Sequence, residues 1–377
     1  MVYGKEIVSL LLAKELCNAG WSLEFITSKW HSADFTTWLL SSGFKCRFLW
    51  IGFISLTFRL EPLRCTFGQL VRYPQLLLGF RQIVKKGGLR AVVHTNWQHC
   101  MLLLPLLRRH RDIYWAHEIP PLSRHYGYVF RAIARRVGRI VCVSQAVADR
   151  MLSLGVSTRK VAVVRNGIPS AERTGAVADG KCLRLGIVGQ IGAWKGHKDL
   201  IEALGLLQLD GVRPPLFIFG SGAPEYVAGL EERAVELGIQ QQIEWCGYVT
   251  DKSQIFGAID VCIVPSRFEE PLGMSAIEAG GFGCPVICSS RGGLPEIVKH
   301  GETGFVVEPE RPEQIADAIK VFVQNRDLVR TMGAAAQRRA RTDFSVQRFV
   351  SEFIQVLEGL RQQSDNGPKQ QRRSLTY

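Results

Sequence analysis

Two glutamates eight residues apart, Glu270 and Glu278, lie in the stretch 264–279, VPSRFEEPLGMSAIEA. The second falls between Ala276-Ile277 and Ala279-Gly280-Gly281, on a segment that reads as an apolar helix packed against a sheet. An unpaired carboxylate is expensive to bury, so Glu278 needs a partner, either a ligand diol or a protein donor. Glu270 stands at the preceding strand-to-helix turn, where Gly273 permits close approach to the first N–H groups of the helix. The plainer alternative is a first-turn acid that favours the helix dipole and an ordinary internal ion pair.

A second candidate is the glycine-rich turn 189–197, GQIGAWKGH, between an apolar strand and an amphipathic helix. Glycines let the backbone approach an anion, the helix start supplies free N–H groups, and Lys195 adds a full positive charge. In outline this is a phosphate site. It lacks the G-x-x-x-x-G-K-[ST] spacing of a Walker loop, and an ordinary βα turn has the same outline. The run Phe219-Gly220-Ser221-Gly222 offers bare backbone for base or phosphate contact, or forms a simple tight turn. His117, at the strand end WAHE, is either a hydrogen-bonded core histidine or a site residue.

The elements that must position these residues are short apolar runs separated by segments of helical period. The runs fall at 22–28, 46–52, 91–95, 113–116, 140–144 and 161–164, then at 183–189, 216–220, 243–246, 261–265, 286–289 and 304–307. Strands apolar on both faces belong to parallel sheets covered on both sides. The expected fold class is α/β: two doubly wound, Rossmann-like domains facing a central cleft, with ligands outside the carboxyl ends of the strands. The polar stretch 171–181 marks the boundary, giving domains over 1–170 and 171–344. A helix over 345–360 is expected to pack back toward the first domain, and the basic tail 361–377 is expected to be disordered. The chain opens on a helix, 4–19, leading into a strand, whereas a doubly wound domain begins with a central strand and a glycine-bearing turn. Gly4 reads as the end of such a turn, and a strand and turn of roughly 15 to 20 residues is expected before Met1.

With 377 residues, 46% hydrophobic and 21% charged, the chain suits two globular domains and excludes disordered and collagenous classes. Charge is uneven: residues 1–170 hold 24 Lys+Arg against 8 Asp+Glu, and the rest hold 23 against 26. A basic first half points to an anionic partner or to a solvated basic face. The ten cysteines include no C-x-x-C pair and mostly sit in apolar runs. Buried reduced thiols are the simplest reading, and a cytoplasmic location follows from it. The apolar residues 7–12 run into Lys14 and Glu15 as an amphipathic helix rather than a secretory signal. The apolar stretch 48–58 is too short for a bilayer span, which needs about 20 residues, so membrane contact is expected to be peripheral.

Taken together, the Gly189–Gly196 turn with Lys195, the Glu270/Glu278 pair in PSRFEEPLGMSAIEA, and RGGLPEIVKHGETGFVV resemble the retaining family 4 glycosyltransferases of GT-B fold, also described as glycosyl transferases group 1. The likeness extends to VCVSQAVADRML and VAVVRNGI in the first half and to the opening GKEIVSLLLAKELCNAGWSLEFITS. It runs from Gly4 to about Leu360. The resemblance implies sugar transfer from a UDP- or GDP-sugar with retained anomeric configuration, no required metal and no other cofactor. It implies that Lys195 holds the donor diphosphate with Gly189, Gln190 and Gly220 nearby, and that Glu278 holds the ribose hydroxyls. Glu270 then contacts the transferred sugar, the amides of Leu272 and Gly273 lie near the phosphate, and His117 faces the reacting sugar. Asn166-Gly167 matches the turn that closes the first domain. Family members often carry arginine where Gln190 stands; glutamine donates a hydrogen bond but brings no charge.

In this fold class the first domain receives the acceptor, a glycan or lipid-linked molecule of polysaccharide, lipopolysaccharide or glycolipid synthesis. Its stretch 45–86 mixes aromatics (Phe48, Trp50, Phe53, Phe58, Phe67, Tyr73, Phe80) with cations (Arg59, Arg64, Arg72, Arg81, Lys85, Lys86). That mixture suits an anionic membrane surface, and equally an aromatic core with a solvated rim. Nucleic-acid binding is disfavoured, because no recognition-helix pattern, zinc spacing or RNA-binding strand signature is present. A catalytically silent relative, or a nucleotide-sugar epimerase, shares the fold and the nucleotide site.

Overall fold

The computed structural model describes residues 4–30, 33–52, 60–86, 89–171 and 182–365. Contacts divide the chain into two compact units: Met1–Val143 with Val147–Val164 and Val350–Tyr377, and Ser144–Ala146 with Arg165–Phe349. Each of the twelve apolar runs forms a strand.

The first unit contains β1 (Glu24–Ser28) and β2 (Lys45–Leu49), a parallel pair, and β3 (Val92–His94), β4 (Asp112–Ala116), β5 (Arg139–Cys142) and β6 (Val161–Val163), a parallel sheet in that order. All of β4 is buried, and the Trp115 ring meets Phe353 edge-on at 5.0 Å. At its start Asp112 is fully buried, and such a charge must be paired. His94 at 2.8 Å and Arg111 at 2.7 Å supply the partners. The opening helix Gly4–Asn18 buries Val8, Leu12 and Leu16 at i, i+4 and i+8, the spacing that places side chains on one helix face.

Helices Leu60–Val71 and Tyr73–Lys86 occupy much of the aromatic and basic stretch. Phe80 is core and Phe67 is exposed, while the Arg72 guanidinium stacks 3.8 Å from the Trp50 ring. Phe53, Phe58 and Arg59, and the side chain of Arg64, lie outside the described residues.

The second unit is one six-stranded parallel sheet of β7 (Leu185–Val188), β8 (Leu216–Phe219), β9 (Ile243–Gly247), β10 (Val261–Val264), β11 (Val286–Ser289) and β12 (Gly304–Val307), in the order β12-β11-β10-β7-β8-β9. Its core joins Leu185, Ile187, Ile218 and Ile263 of the sheet to Leu200, Leu204, Ile319 and Phe322 of the covering helices.

Two expectations need correction. The final helix runs from Val346 to Asp365, so residues 361–365 continue it instead of starting a tail; residues 366–377 lie outside the described ones. Among the nine described cysteines, all free thiols, Cys100, Cys142, Cys262, Cys284 and Cys288 are buried but Cys17 and Cys182 are exposed. Cys17 comes near the end of the Gly4–Asn18 helix, past the last buried position, Leu16. No helix among the described residues is long and apolar enough to cross a membrane.

Candidate active site

In the six-stranded sheet the chain leaves β7 for β8 on one side and reaches β10 on the other, so strand order reverses between β7 and β10. Ligand crevices of open α/β sheets lie at such a point, beyond the carboxyl ends of the strands. The two candidate segments follow these two strands.

After β7 come Gly189, a single 3-10 turn Ala193–Lys195, left-handed Gly196 (φ 74°) and the helix His197–Leu209. A Cβ at Gly196 would run into the carbonyl oxygen of Pro265, so glycine lets the loop after β7 lie directly on the loop after β10. Arg267 locks the two together. Its N–H donates to Trp194 O at 2.9 Å, and its guanidinium grips both oxygens of the buried Asp199 at 2.7 and 2.6 Å. The Asp199 hydrogen bonds hold the Arg267 guanidinium above its ordinary pKa.

This packing brings Lys195 to Glu270. Lys195 Nζ donates to Glu270 Oε1 at 2.5 Å, and Ser266 Oγ donates to the same oxygen at 2.7 Å. Ser289 Oγ in turn donates to Ser266 O at 2.6 Å, fixing the strand end beneath. The Lys195 and Glu270 side chains keep 26% and 14% of their surface exposed, so a solute can reach them.

Gly273, with φ 97°, caps the helix Met274–Gly281. Among the described residues no acceptor takes the N–H groups of Leu272 and Gly273. With the unpaired amides that open any helix, these make a group of donors suited to an oxyanion. The loop after β11 presses on this turn: Gly293 N donates to Glu270 O at 2.8 Å, and Gly292 (φ 57°) has no room for a Cβ against that carbonyl.

Glu278 is in the second turn of the helix and has a protein partner, Lys252 Nζ at 2.7 Å. No contact joins it to Lys195 or Glu270. Gly220 serves the loop after β7: Gly189 N donates to Phe219 O at 2.9 Å and Ile191 N to Ser221 O at 2.8 Å, and a Cβ at Gly220 would collide with Gly189 O. Gln190 is exposed between these contacts.

His117 belongs to the first unit, immediately after β4. Its ring lies 4.2 Å from that of Trp115, and its Nε2 is shielded from solvent without a hydrogen-bond partner. Burial, with the Lys5 charge adding to it, lowers its pKa to about 3, so the imidazole is neutral. His197, the first residue of its helix, is lowered to about 4, chiefly by burial.

Sequence reasoning missed Ser266, Ser289, the Arg267–Asp199 clamp and Lys252. Ser266 and Arg267 stand inside the glutamate motif and were within reach; Lys252, 26 residues before Glu278, has no spacing signal. Arg291, whose Nε is buried without a partner, was also overlooked.

The family described as Glycosyltransferase Family 4 matches residues 2–172, and Glycosyl transferases group 1 matches residues 172–339. An uncharacterized glycosyltransferase of Methanocaldococcus jannaschii is 32% identical over 196 residues, 47% of this chain and 49% of that one. Glycogen synthase of Mycobacterium tuberculosis is 27% identical over 256 residues, 62% of this chain and 60% of that one. The chain thus spans about half to three fifths of the length of these relatives. The crystal structure of Anabaena Alr3699/HepE in complex with UDP shares the fold at a TM-score of 0.77 and 19% identity, covering 95% of this chain and 96% of that one. With both halves matched and the fold shared, the chain belongs to the group 1, family 4 glycosyltransferases of GT-B fold.

Proposed function

We propose that the chain is a retaining glycosyltransferase that moves a sugar from a UDP- or GDP-sugar to an acceptor hydroxyl, with no metal required, in polysaccharide, lipopolysaccharide or glycolipid synthesis. The observation that carries this reading is the Lys195–Glu270 pair beside the free amides of Leu272 and Gly273, at the reversal point of the second unit's sheet. HepE, one of the structural neighbours, was crystallised with UDP.

In the reaction the bond between the anomeric carbon and the diphosphate breaks while a bond from the acceptor oxygen to that carbon forms. Negative charge collects on the leaving phosphate. Lys195 and the amides of Leu272 and Gly273 stabilise it from fixed positions. Gln190 adds a hydrogen bond without charge, which leaves Lys195 as the main cation. Glu270 contacts the transferred sugar, Glu278 takes the ribose hydroxyls, and neutral His117 hydrogen-bonds a sugar hydroxyl. The proton of the acceptor hydroxyl passes to an oxygen of the leaving phosphate. The second unit takes the donor and the basic first unit takes the acceptor, a glycan or a lipid-linked molecule at an anionic membrane surface.

The test is a thermal-shift screen of UDP-, GDP- and ADP-sugars, followed by incubation of the stabilising donor with glycan and lipid-linked acceptors. A ligand at 100 times its Kd adds about 2.7 kcal/mol to the folded state, a clear rise in Tm. Retained configuration in the product completes the case. No shift with any donor, and no product, overturns it.

A further inference from the structure

A cavity of about 510 Å³ lined by Leu107, Arg108, Arg109, Arg135 and Arg136 opens at the amino-terminal edge of the β3–β6 sheet. Arg108 and Arg109 precede β4, and Arg135 and Arg136 end the helix Arg124–Arg136 that leads into β5. Cations in a last helical turn ordinarily serve the free carbonyls there. Here other residues do so: Arg109 Nε donates to Arg135 O at 2.7 Å, and Lys160 Nζ donates to Val137 O at 2.7 Å. The guanidinium groups of Arg135 and Arg136 are left over.

Among the described residues none of the four arginines has a carboxylate partner. The nearest acid in sequence, Asp112, is fully buried and already holds Arg111 and His94. Arg139 adds to the crowding, since its charge and that of Arg109 join burial in lowering Lys160. Leu107, 1% exposed, gives the cavity an apolar wall. Arg108 Nη1 donates to Pro105 O at 3.2 Å and Leu107 O at 3.0 Å, and Arg109 Nε to Arg135 O, so the guanidinium groups of Arg135 and Arg136, without a counter-ion, are the ones left to match the oxygens of a phosphate group through paired hydrogen bonds. The cavity lies apart from the sugar chemistry, because β4 carries the chain through five residues, roughly 16 Å, before reaching His117.

We propose that this cavity binds a phosphate group, either the headgroup phosphate of an anionic lipid or that of a soluble phosphate compound. It does not depend on the donor site. The full chain is sedimented at low salt with phosphatidylglycerol vesicles, with phosphatidylcholine vesicles as reference, and its melting is followed with pyrophosphate. Each measurement compares the parent with Arg135→Gln/Arg136→Gln, so any binding near Lys195 is common to both proteins. Neutralising the pair should weaken binding about 25-fold, roughly fivefold per arginine near a charged surface. Arg108→Gln should weaken it about fivefold, which keeps the test open if the double variant folds poorly. Arg338→Gln/Arg341→Gln, an exposed basic pair on the second unit's helix Asp327–Asp343, should change binding less than twofold. Loss with vesicles alone assigns the lipid headgroup, and loss with pyrophosphate alone assigns the soluble compound. Absence of binding to both ligands, or an equal loss in the Arg338→Gln/Arg341→Gln control, overturns the proposal.

Discussion

Lys195 Nζ and Ser266 Oγ both donate to one oxygen of Glu270, Oε1, so a single carboxylate atom holds the site's cation and a buried hydroxyl. The lysine is therefore positioned before any nucleotide arrives, and a diphosphate offers its ammonium a second anion. A hydrogen bond to a charged group contributes about 1.5–3 kcal/mol. Lys195→Ala should weaken binding of the cognate nucleotide diphosphate about 10- to 100-fold by titration calorimetry, carried out below the melting temperature of the variant, which also loses the Glu270 ion pair. Unchanged affinity would remove Lys195 from the site.

Glu270→Gln keeps an acceptor for both donors but loses the negative charge. Nucleotide diphosphate affinity should then hold or rise, because Lys195 is released from its ion pair, while sugar transfer falls at least 10-fold. Separate measurement of binding and single-turnover transfer checks this. A parallel loss of both would make Glu270 a nucleotide ligand instead.

The fold was legible because its strands are short apolar runs with both faces covered: Val261-Cys262-Ile263-Val264 is buried throughout and admits no other placement. Lys195 and Glu270 were legible as separate candidates through their glycine-rich surroundings. Their direct pairing was not, because it depends on Gly196 lying against Pro265, a contact between loops 69 residues apart that leaves no trace in local pattern. Lys252 was hidden for the same reason. The carboxylate of Glu278 signalled the need for a partner, but identifying it required the sheet order that brings the helix Lys252–Ala258 alongside.

The Glu278–Lys252 ion pair permits two roles that one comparison separates. If Glu278 takes the ribose diol, Glu278→Ala should weaken nucleotide binding about 10-fold or more, at about 1.4 kcal/mol per tenfold, while Lys252→Ala leaves it within threefold. If the pair serves stability alone, both variants lower the melting temperature and neither changes nucleotide affinity.

Gly196 and Gly220 are where the donor loops lose freedom of sequence. Gly196 has φ 74° and Gly220 φ 153°, and a Cβ at either would strike a carbonyl oxygen, of Pro265 and Gly189 respectively. Left-handed strain and backbone collision together should cost Gly196→Ala more than about 2 kcal/mol, read from urea denaturation. Gly220→Ala should show a comparable loss, and also reduced nucleotide binding, since the loop after β8 is bonded to the one that precedes Lys195. Near-parental stability of both would mean that the loops separate without penalty.

The buried histidine His197 makes the second unit sensitive to mild acid. Its pKa falls to about 4 in the folded chain, chiefly through burial, against an ordinary 6.5. Between these values the unfolded chain binds the extra proton and the folded chain does not, so stability is whole above about pH 6.5 and declines toward pH 4. At 1.36 kcal/mol per unit the full effect is about 3 kcal/mol. Neither ring nitrogen has a well-formed hydrogen bond, so His197→Phe sacrifices little polar contact. The variant should flatten the pH dependence of urea-unfolding stability by that amount across this window. His117, lowered to about 3, contributes a slope of the same sign in the first unit, which should persist in the variant. An undiminished slope in His197→Phe would show that this histidine is already protonated in the folded chain, or that water reaches it.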